Sequence, residues 1–399
     1  MKSFHLHVVY CNVGKGKKIL MFNVKLAQNR LNEFNQSQQV LTLDALETLA
    51  NHKYKSGMYT YLDLICYKIW WEPVASLVPT WMAPNLITFI GFAVALTNIP
   101  LLVYLNPTLE STLPSWMFAY SAFTVFFYIT MDAIDGMQAR KTKSSSPLGQ
   151  LFDHGCDCSI TTVFALLMIN GLGLGPDYRA ILFVSFIQVA FFLSQWEEKY
   201  TRVCRTSVGG LFGVTEMQIL LLSQMILAAV YPDIGSALVY SDWTYSELYL
   251  VGYFSFVSLI SVGSIMGILL KHLNAYKELG SVFILNGLVV AWAVWFDMKP
   301  DEYVLAILSL AFCNSFSTIR VILSSITHAP FPLTHSSAFP LFVIVLLRVS
   351  LVNGPWVKLT MAFYLGGLLN HIIRYLIQVT NEISVYLGIQ VFRIENTKM

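Results

Sequence analysis

Four aspartates and one histidine carry the chemistry that can be read in this chain. Asp132, Asp135, Asp153 and Asp157 fall within residues 132–157, and His154 follows Asp153 directly. On a helix, spacings of three and four put side chains on one face, so Asp132 with Asp135, and Asp153 with Asp157, make two acidic faces. Ala139 continues the first face. The apolar run Leu113–Met131 leads into the first pair. After a polar loop, Lys141 to Ser146, a second helix opens on a Ser146 cap and Pro147. A connection that short makes the helices antiparallel neighbours and lets the acidic faces meet. Carboxylates gathered at a membrane surface repel one another and lose hydration. Hard divalent cations, shared with phosphate oxygens, answer that conflict. Gly136 and Gly149 leave room for a ligand or a helix, and Arg140 is placed to meet a phosphate. Solvated helix-end charges would explain one such aspartate, but not four at two helical spacings with two glycines and an arginine.

The elements that must hold these groups are set by composition. Of 399 residues 56% are hydrophobic, and Lys+Arg (25) with Asp+Glu (23) make only 12%, about half of the roughly 25% usual in soluble domains. That excludes a soluble enzyme, a disordered chain and a nucleic-acid binder working through a basic field. A polytopic membrane protein remains. Runs of about 20 apolar residues span a bilayer as helices. Ten are read, starting near Pro84, Leu113, Cys158, Ala180, Met217, Leu248, Ser281, Tyr303, Phe339 and Leu359. The fold class is therefore all-α, a transmembrane helical bundle of about ten spans.

With ten spans, one set of loops holds Arg140, Lys141, Lys143, Lys199, Arg202, Arg205, Lys271 and Lys277, and the other only Arg179, Lys299 and Lys358. The basic set marks the cytoplasmic side, which takes in both chain ends and the loop between spans two and three. Residues 1–39 form an N-terminal cytoplasmic extension with no clear period, where the glycosylation triplet Asn35-Gln36-Ser37 has no meaning. Residues 40–82 mix Leu and aromatics with charges, as in an amphipathic helix on the cytoplasmic leaflet; a small helical cap on the bundle is the other reading. The first 30 residues lack the apolar run of a cleavable signal peptide. Six scattered cysteines, without a CxxC pair, indicate neither a disulfide framework nor a zinc knuckle. Gly171–Gly175 before Pro176 reads as a turn. Arg320, Arg348, Asn370, His371 and Arg374, in or near late spans, read as snorkelling or interfacial groups.

Residues 132–157 match D-x2-D-G-x2-A-R-x8-G-x3-D-x3-D at every fixed position, and so resemble the CDP-alcohol phosphotransferases. The stretch DGMQARKTKSSSPLGQLFDHGCD, with Ala83–Thr88 (APNLIT) before it, is similar to the eukaryotic choline/ethanolamine phosphotransferases. Weaker similarity runs through Trp196-Glu197-Glu198, Val214-Thr215-Glu216 and Val391-Phe392-Arg393-Ile394. The resemblance implies that the hydroxyl of diacylglycerol attacks the β-phosphorus of CDP-choline or CDP-ethanolamine, releasing CMP, with two Mg2+ or Mn2+ ions as cofactors. It implies Asp132, Asp135, Asp153 and Asp157 as metal ligands, and Asn85, Gly136, Ala139 and Arg140 around the CDP-alcohol; Gly149, by its lack of a side chain, and Lys143, a loop lysine able to reach a phosphate, join them as substrate-binding candidates from the residues themselves. It implies His154 as general base, oriented by Glu216. His154 points about 100° away from the Asp153 face, and the rival assignment makes Asp157 the base. Relatives often carry lysine at the position of Met137 and asparagine at that of Lys143, which leaves the preferred alcohol open. A catalytic core over 83–230, additional transmembrane helices over 231–380, a cytoplasmic tail over 381–399, a homodimer and residence in the endoplasmic reticulum, extending to nuclear envelope or Golgi, complete the expectation. Another acceptor such as inositol, a lipid or solute transporter, and an inactive relative are the alternatives.

Overall fold

Apolar runs punctuated by proline and glycine leave the backbone one economical way to satisfy itself, as helices. The computed structural model describes residues 8–13, 16–21, 39–295, 298–333, 338–350 and 355–394. Strands β1 (Val8–Val13) and β2 (Gly16–Met21) pair antiparallel. Helices α1 (Leu43–Ala50), α2 (Tyr61–Cys66) and α3 (Glu72–Leu77) lead to α4 (Pro84–Leu96), α5 (Asn98–Leu105), α6 (Ser115–Thr142), α7 (Pro147–Gly171) and α8 (Tyr178–Thr201). A small ladder of β3 (Ser207–Val208) and β4 (Phe212–Gly213) precedes α9 (Val214–Val230). The pair β5 (Leu238–Tyr240) and β6 (Trp243–Thr244) precedes α10 (Tyr245–Leu269), α11 (Tyr276–Trp295), α12 (Pro300–Thr327), α13 (Phe339–Ser350) and α14 (Pro355–Leu387). The glycosylation triplet and the Arg348 side chain lie outside what is described.

The all-α, polytopic architecture is as expected. Each of the ten expected runs begins in or just before a helix. Among the described residues, seven helices are long and apolar enough to cross a membrane: Pro84–Leu105, α6, α7, α8, α10, Leu273–Trp295 and α12. The expected ten therefore become seven by length and composition. Helix α9 has 17 residues and α13 only 12, while α14 dilutes its apolar run with Lys358, Asn370, His371 and Arg374.

Helix α12 is the axis of the bundle: 83% of its apolar window is buried against 22% for α10. It packs on α7, α8 and α14, and buries small polar residues such as Ser315, Ser317 and Thr318 that let helices approach closely; Ser315 donates across to the Cys158 carbonyl on α7 at 2.7 Å. The reciprocal amide pair of Asn286 and Asn314 joins it to α11.

Residues 40–82 are not one interfacial helix. Helix α1 buries Leu46 and Leu49 against Leu148, Leu151, Ile322 and Ile383, as a cap on the bundle. An extended stretch follows, in which Gly57 N–H donates to the Cys204 carbonyl at 2.7 Å and Cys204 N–H to that of Lys55 at 3.0 Å. A Thr60–Asp63 capping box then restarts the helix, and Tyr61, Leu64, Ile65, Ile69, Trp70 and Leu77 face outward, the apolar surface that suits a membrane interface. Glu382, almost wholly buried on α14, accepts from Val40 and Leu41 N–H at 2.9 Å each. Helix α14 runs to Leu387, past residue 381 where the tail was expected to start. Gly171 ends α7, and Gly173 and Gly175 take left-handed φ of 61° and 68°, forming the expected turn.

Helix α4 wedges against both aspartate-bearing helices, α6 and α7, which touch each other less than either touches α4. The wedge needs Gly91: a Cβ there would lie 2.7 Å from Met131 Cβ. Replacing Gly91 with Ala should therefore destabilise the protein by about 1–3 kcal/mol through overpacking, read as a lower midpoint of thermal unfolding in detergent; an unchanged midpoint would show that α4 does not set the α6 position.

Candidate active site

Helix α6 ends where Lys143 takes a left-handed φ of 57°, with Ser144 N–H bonded back to Ala139. After the turn, Ser146 Oγ accepts from Gly149 N–H at 3.1 Å, and Pro147 opens α7 as expected. The acidic faces of the two helices then meet. One carboxylate oxygen each from Asp132, Asp153 and Asp157 lies within 4.8 Å of the others. Asp135, buried one turn along α6, faces α4, where Thr88 Oγ1 donates to its Oδ2.

The donors around these carboxylates fix them without neutralising them. Tyr128 OH donates to Asp157 Oδ1 at 2.5 Å. Asp153 Oδ1 is shut from solvent and has no hydrogen-bond partner. The ion pairs of the described side chains do not include any of the four aspartates. Oxygen-only donors that converge, one of whose residues has a buried oxygen without a partner, fit a hard divalent cation such as Mg2+ or Mn2+. A cation there would bring the countercharge that the protein withholds.

The residues expected around the substrate sit at the rim of this cluster. Asn85 Nδ2, in the first turn of α4, donates to the Val391 carbonyl at 3.0 Å. A Cβ on Gly149 would lie 3.6 Å from Asn85 Oδ1, and one on Gly136 3.5 Å from Arg140 Nη1. Both are ordinary contacts, so the chain's own packing does not demand either glycine, and the space is left for something else. Ala139 is half-buried, whereas Arg140 and Lys143 are exposed. Lys141, beside them, is spent on the Ala75 and Val78 carbonyls. The C-terminal segment closes one edge: Phe392 meets Phe89 and Phe152, each at 5.6 Å between ring centres.

His154 is buried on the next face of α7. Its Nδ1 lies 3.2 Å from Gln195 Oε1 on α8, and its ring stands edge-on to Tyr54 at 5.8 Å. The amide oxygen is an acceptor, so Nδ1 carries the proton and Nε2 is the basic nitrogen. The expected partner Glu216 is engaged elsewhere. Its Oε2 accepts from Gly213 N–H at 2.7 Å, capping the start of α9. The carboxylate gathered with His154 is Glu198, with the thiol of Cys204; one ligand atom of each lies within 4.8 Å of the others. Burial, and then the Glu198 charge, hold the Cys204 thiol well above its ordinary range.

Thr88, Tyr128, Gln195, Glu198 and Tyr54 were given no role from sequence. A signal existed for Tyr128, which precedes Asp132 by four and shares its helical face. Gln195 and Glu198, three apart in an apolar helix, mark a polar face in the same way. Tyr54 and Cys204, 150 residues apart in an extended stretch and a loop, carried none.

The pattern described as CDP-alcohol phosphatidyltransferase matches residues 81–248. A CDP-alcohol phosphatidyltransferase class-I family protein of Dictyostelium discoideum is 32% identical over 318 residues, 75% of this chain and 74% of that one. Choline/ethanolaminephosphotransferase 1 of Saccharomyces cerevisiae is 26% identical over 390 residues, 89% of this chain and 97% of its own. Cholinephosphotransferase 1 of Danio rerio is 39% identical over 188 residues, 46% of this chain and 47% of its own. With the acidic cluster, the motif and this extent of similarity, the chain belongs to the CDP-alcohol phosphatidyltransferase family.

Replacing Tyr128 with Phe removes the hydroxyl that orients Asp157 and leaves that oxygen unbonded. Mn2+ binding, followed by electron paramagnetic resonance on purified protein, should weaken by about 10–100-fold; unchanged binding would separate Asp157 from the metal ligands.

Proposed function

We propose that this protein transfers phosphocholine or phosphoethanolamine from the CDP-alcohol to diacylglycerol, yielding phosphatidylcholine or phosphatidylethanolamine and CMP. The observation that carries this reading is the convergence of Asp132, Asp153 and Asp157 within 4.8 Å, beside a buried imidazole. The likeness to the yeast choline/ethanolaminephosphotransferase over nearly its whole length supports the choice of alcohols.

Asp132, Asp135, Asp153 and Asp157 would hold two Mg2+ or Mn2+ ions, whose charge offsets that of the pyrophosphate and of the departing CMP. Asn85, Gly136, Ala139 and Gly149 bound the space for the donor, with Arg140 and Lys143 at its open side to meet phosphate oxygens. His154 Nε2 accepts the proton of the diacylglycerol hydroxyl as that oxygen bonds to the β-phosphorus. The bond from the β-phosphorus to the bridging oxygen breaks, and CMP leaves with the electron pair. Gln195 holds the imidazole in the tautomer this needs. The soluble donor arrives from water and the diacylglycerol laterally from the bilayer. The basic loops carrying Arg140, Lys141 and Lys143 support a site facing the cytosol, in the endoplasmic reticulum membrane, and the family resemblance supports a homodimer.

Membranes carrying the wild type should make labelled phospholipid from radiolabelled CDP-choline or CDP-ethanolamine, diacylglycerol and Mg2+. Asp153→Asn should lower that product by at least about a hundredfold, given the loss of one shared cation ligand; equal product would sink the metal-site reading. In the same assay His154→Ala should cost about 10²–10⁴-fold, and full activity would pass the base role to Asp157.

A further inference from the structure

Helix α7 contributes to two different sets of candidate metal-binding atoms, Asp153 and Asp157 to one and His154 to the other. One is the all-oxygen aspartate set. The other joins His154 on α7, Glu198 on α8 and Cys204 in the loop after α8, all buried, with a nitrogen, an oxygen and a sulfur ligand atom within 4.8 Å of one another. Each of the three is held from outside. His154 Nδ1 is taken by Gln195, which leaves Nε2 to bind. Glu198 Oε1 accepts from Gln150 Nε2 at 2.7 Å, and Gln150 Oε1 lies 2.8 Å from His52 Nε2. Cys204 is locked between Lys55 and Gly57 by two backbone hydrogen bonds. Outer partners of this kind orient ligands and raise affinity.

We propose that His154, Glu198 and Cys204 form a second metal site, selective for a thiophilic ion such as Zn2+ over Mg2+, whose occupation switches transfer off. Three mixed N, O and S donors match Zn2+, whereas Mg2+ and Mn2+ prefer the oxygen set next to it. Binding consumes His154 Nε2, the nitrogen assigned to the substrate proton, so the two uses exclude each other. The inhibitory half rests on the base role proposed above; the binding half does not.

The test uses the full chain, purified in detergent, with Zn2+ as the probe. Competition against a chromophoric chelator in millimolar Mg2+ should show one tightly held Zn2+ per chain. Cys204→Ser and Cys204→Ala should each weaken it by at least about tenfold, and Asp132→Asn should keep it. In transfer assays with Mg2+, Zn2+ should inhibit the wild type at concentrations that leave Cys204→Ala active. Absence of a stoichiometric Zn2+, equal affinity in both cysteine variants, or loss of the ion in Asp132→Asn would overturn the site. Binding lost in the cysteine variants and kept in Asp132→Asn, but without effect on wild-type transfer, would uphold the site and overturn the switch. A wild type that binds Zn2+ yet performs no transfer would count against the proposed reaction alone.

Discussion

Mutual repulsion among carboxylates withdrawn from water is the constraint on which the rest of the molecule depends. Asp132, Asp153 and Asp157 converge to within 4.8 Å, a separation at which like charges cost several kcal/mol at the effective dielectric of a protein, about 4 kcal/mol per pair at 4 Å. Among the bases that follow Asp132 on the same helix, Lys141 is bound to carbonyls and Arg140 is exposed. A cluster of this kind is relieved either by taking up protons or by a divalent cation among its oxygens.

Holding such a cluster in place requires rigid walls, and the chain recruits them from its whole length. Helix α4 touches both aspartate-bearing helices and supplies Thr88 to Asp135. Helix α12, more than 140 residues later, buries itself along α7 and α8. The C-terminal segment returns to Asn85, and Glu382 clasps the backbone at Val40 and Leu41. The later helices are thus part of what positions the acidic residues, although the family pattern ends at residue 248.

Local periodicity exposed the four aspartates, the Ser146-Pro147 helix start and the turn after Gly171, because each depends on residues within one or two helical turns. Other features depend on contacts or lengths that local pattern does not carry. The stretch 40–82 divides because its Thr60–Asp63 capping box and its extended pairing with Cys204 outweigh a continuous amphipathic helix. Of the ten expected spans, seven have membrane-crossing length and hydropathy among the described residues; α9 and α13 are short, and polar residues dilute α14. Glu216 was linked to His154 by resemblance, yet a local hydrogen bond to Gly213 takes its carboxylate.

Sequence alone determined that this is a helical membrane protein with a clustered acidic motif, since composition and helical spacing act at short range. Only the tertiary structure decided who meets His154. Gln195, Tyr54, Glu198 and Cys204 reach it from an extended segment, another helix and a loop, and contacts across so many residues depend on how helices pack, which no local pattern encodes. The 48 charges in 399 residues named the solvent; packing chose which few of them would be left facing one another without it.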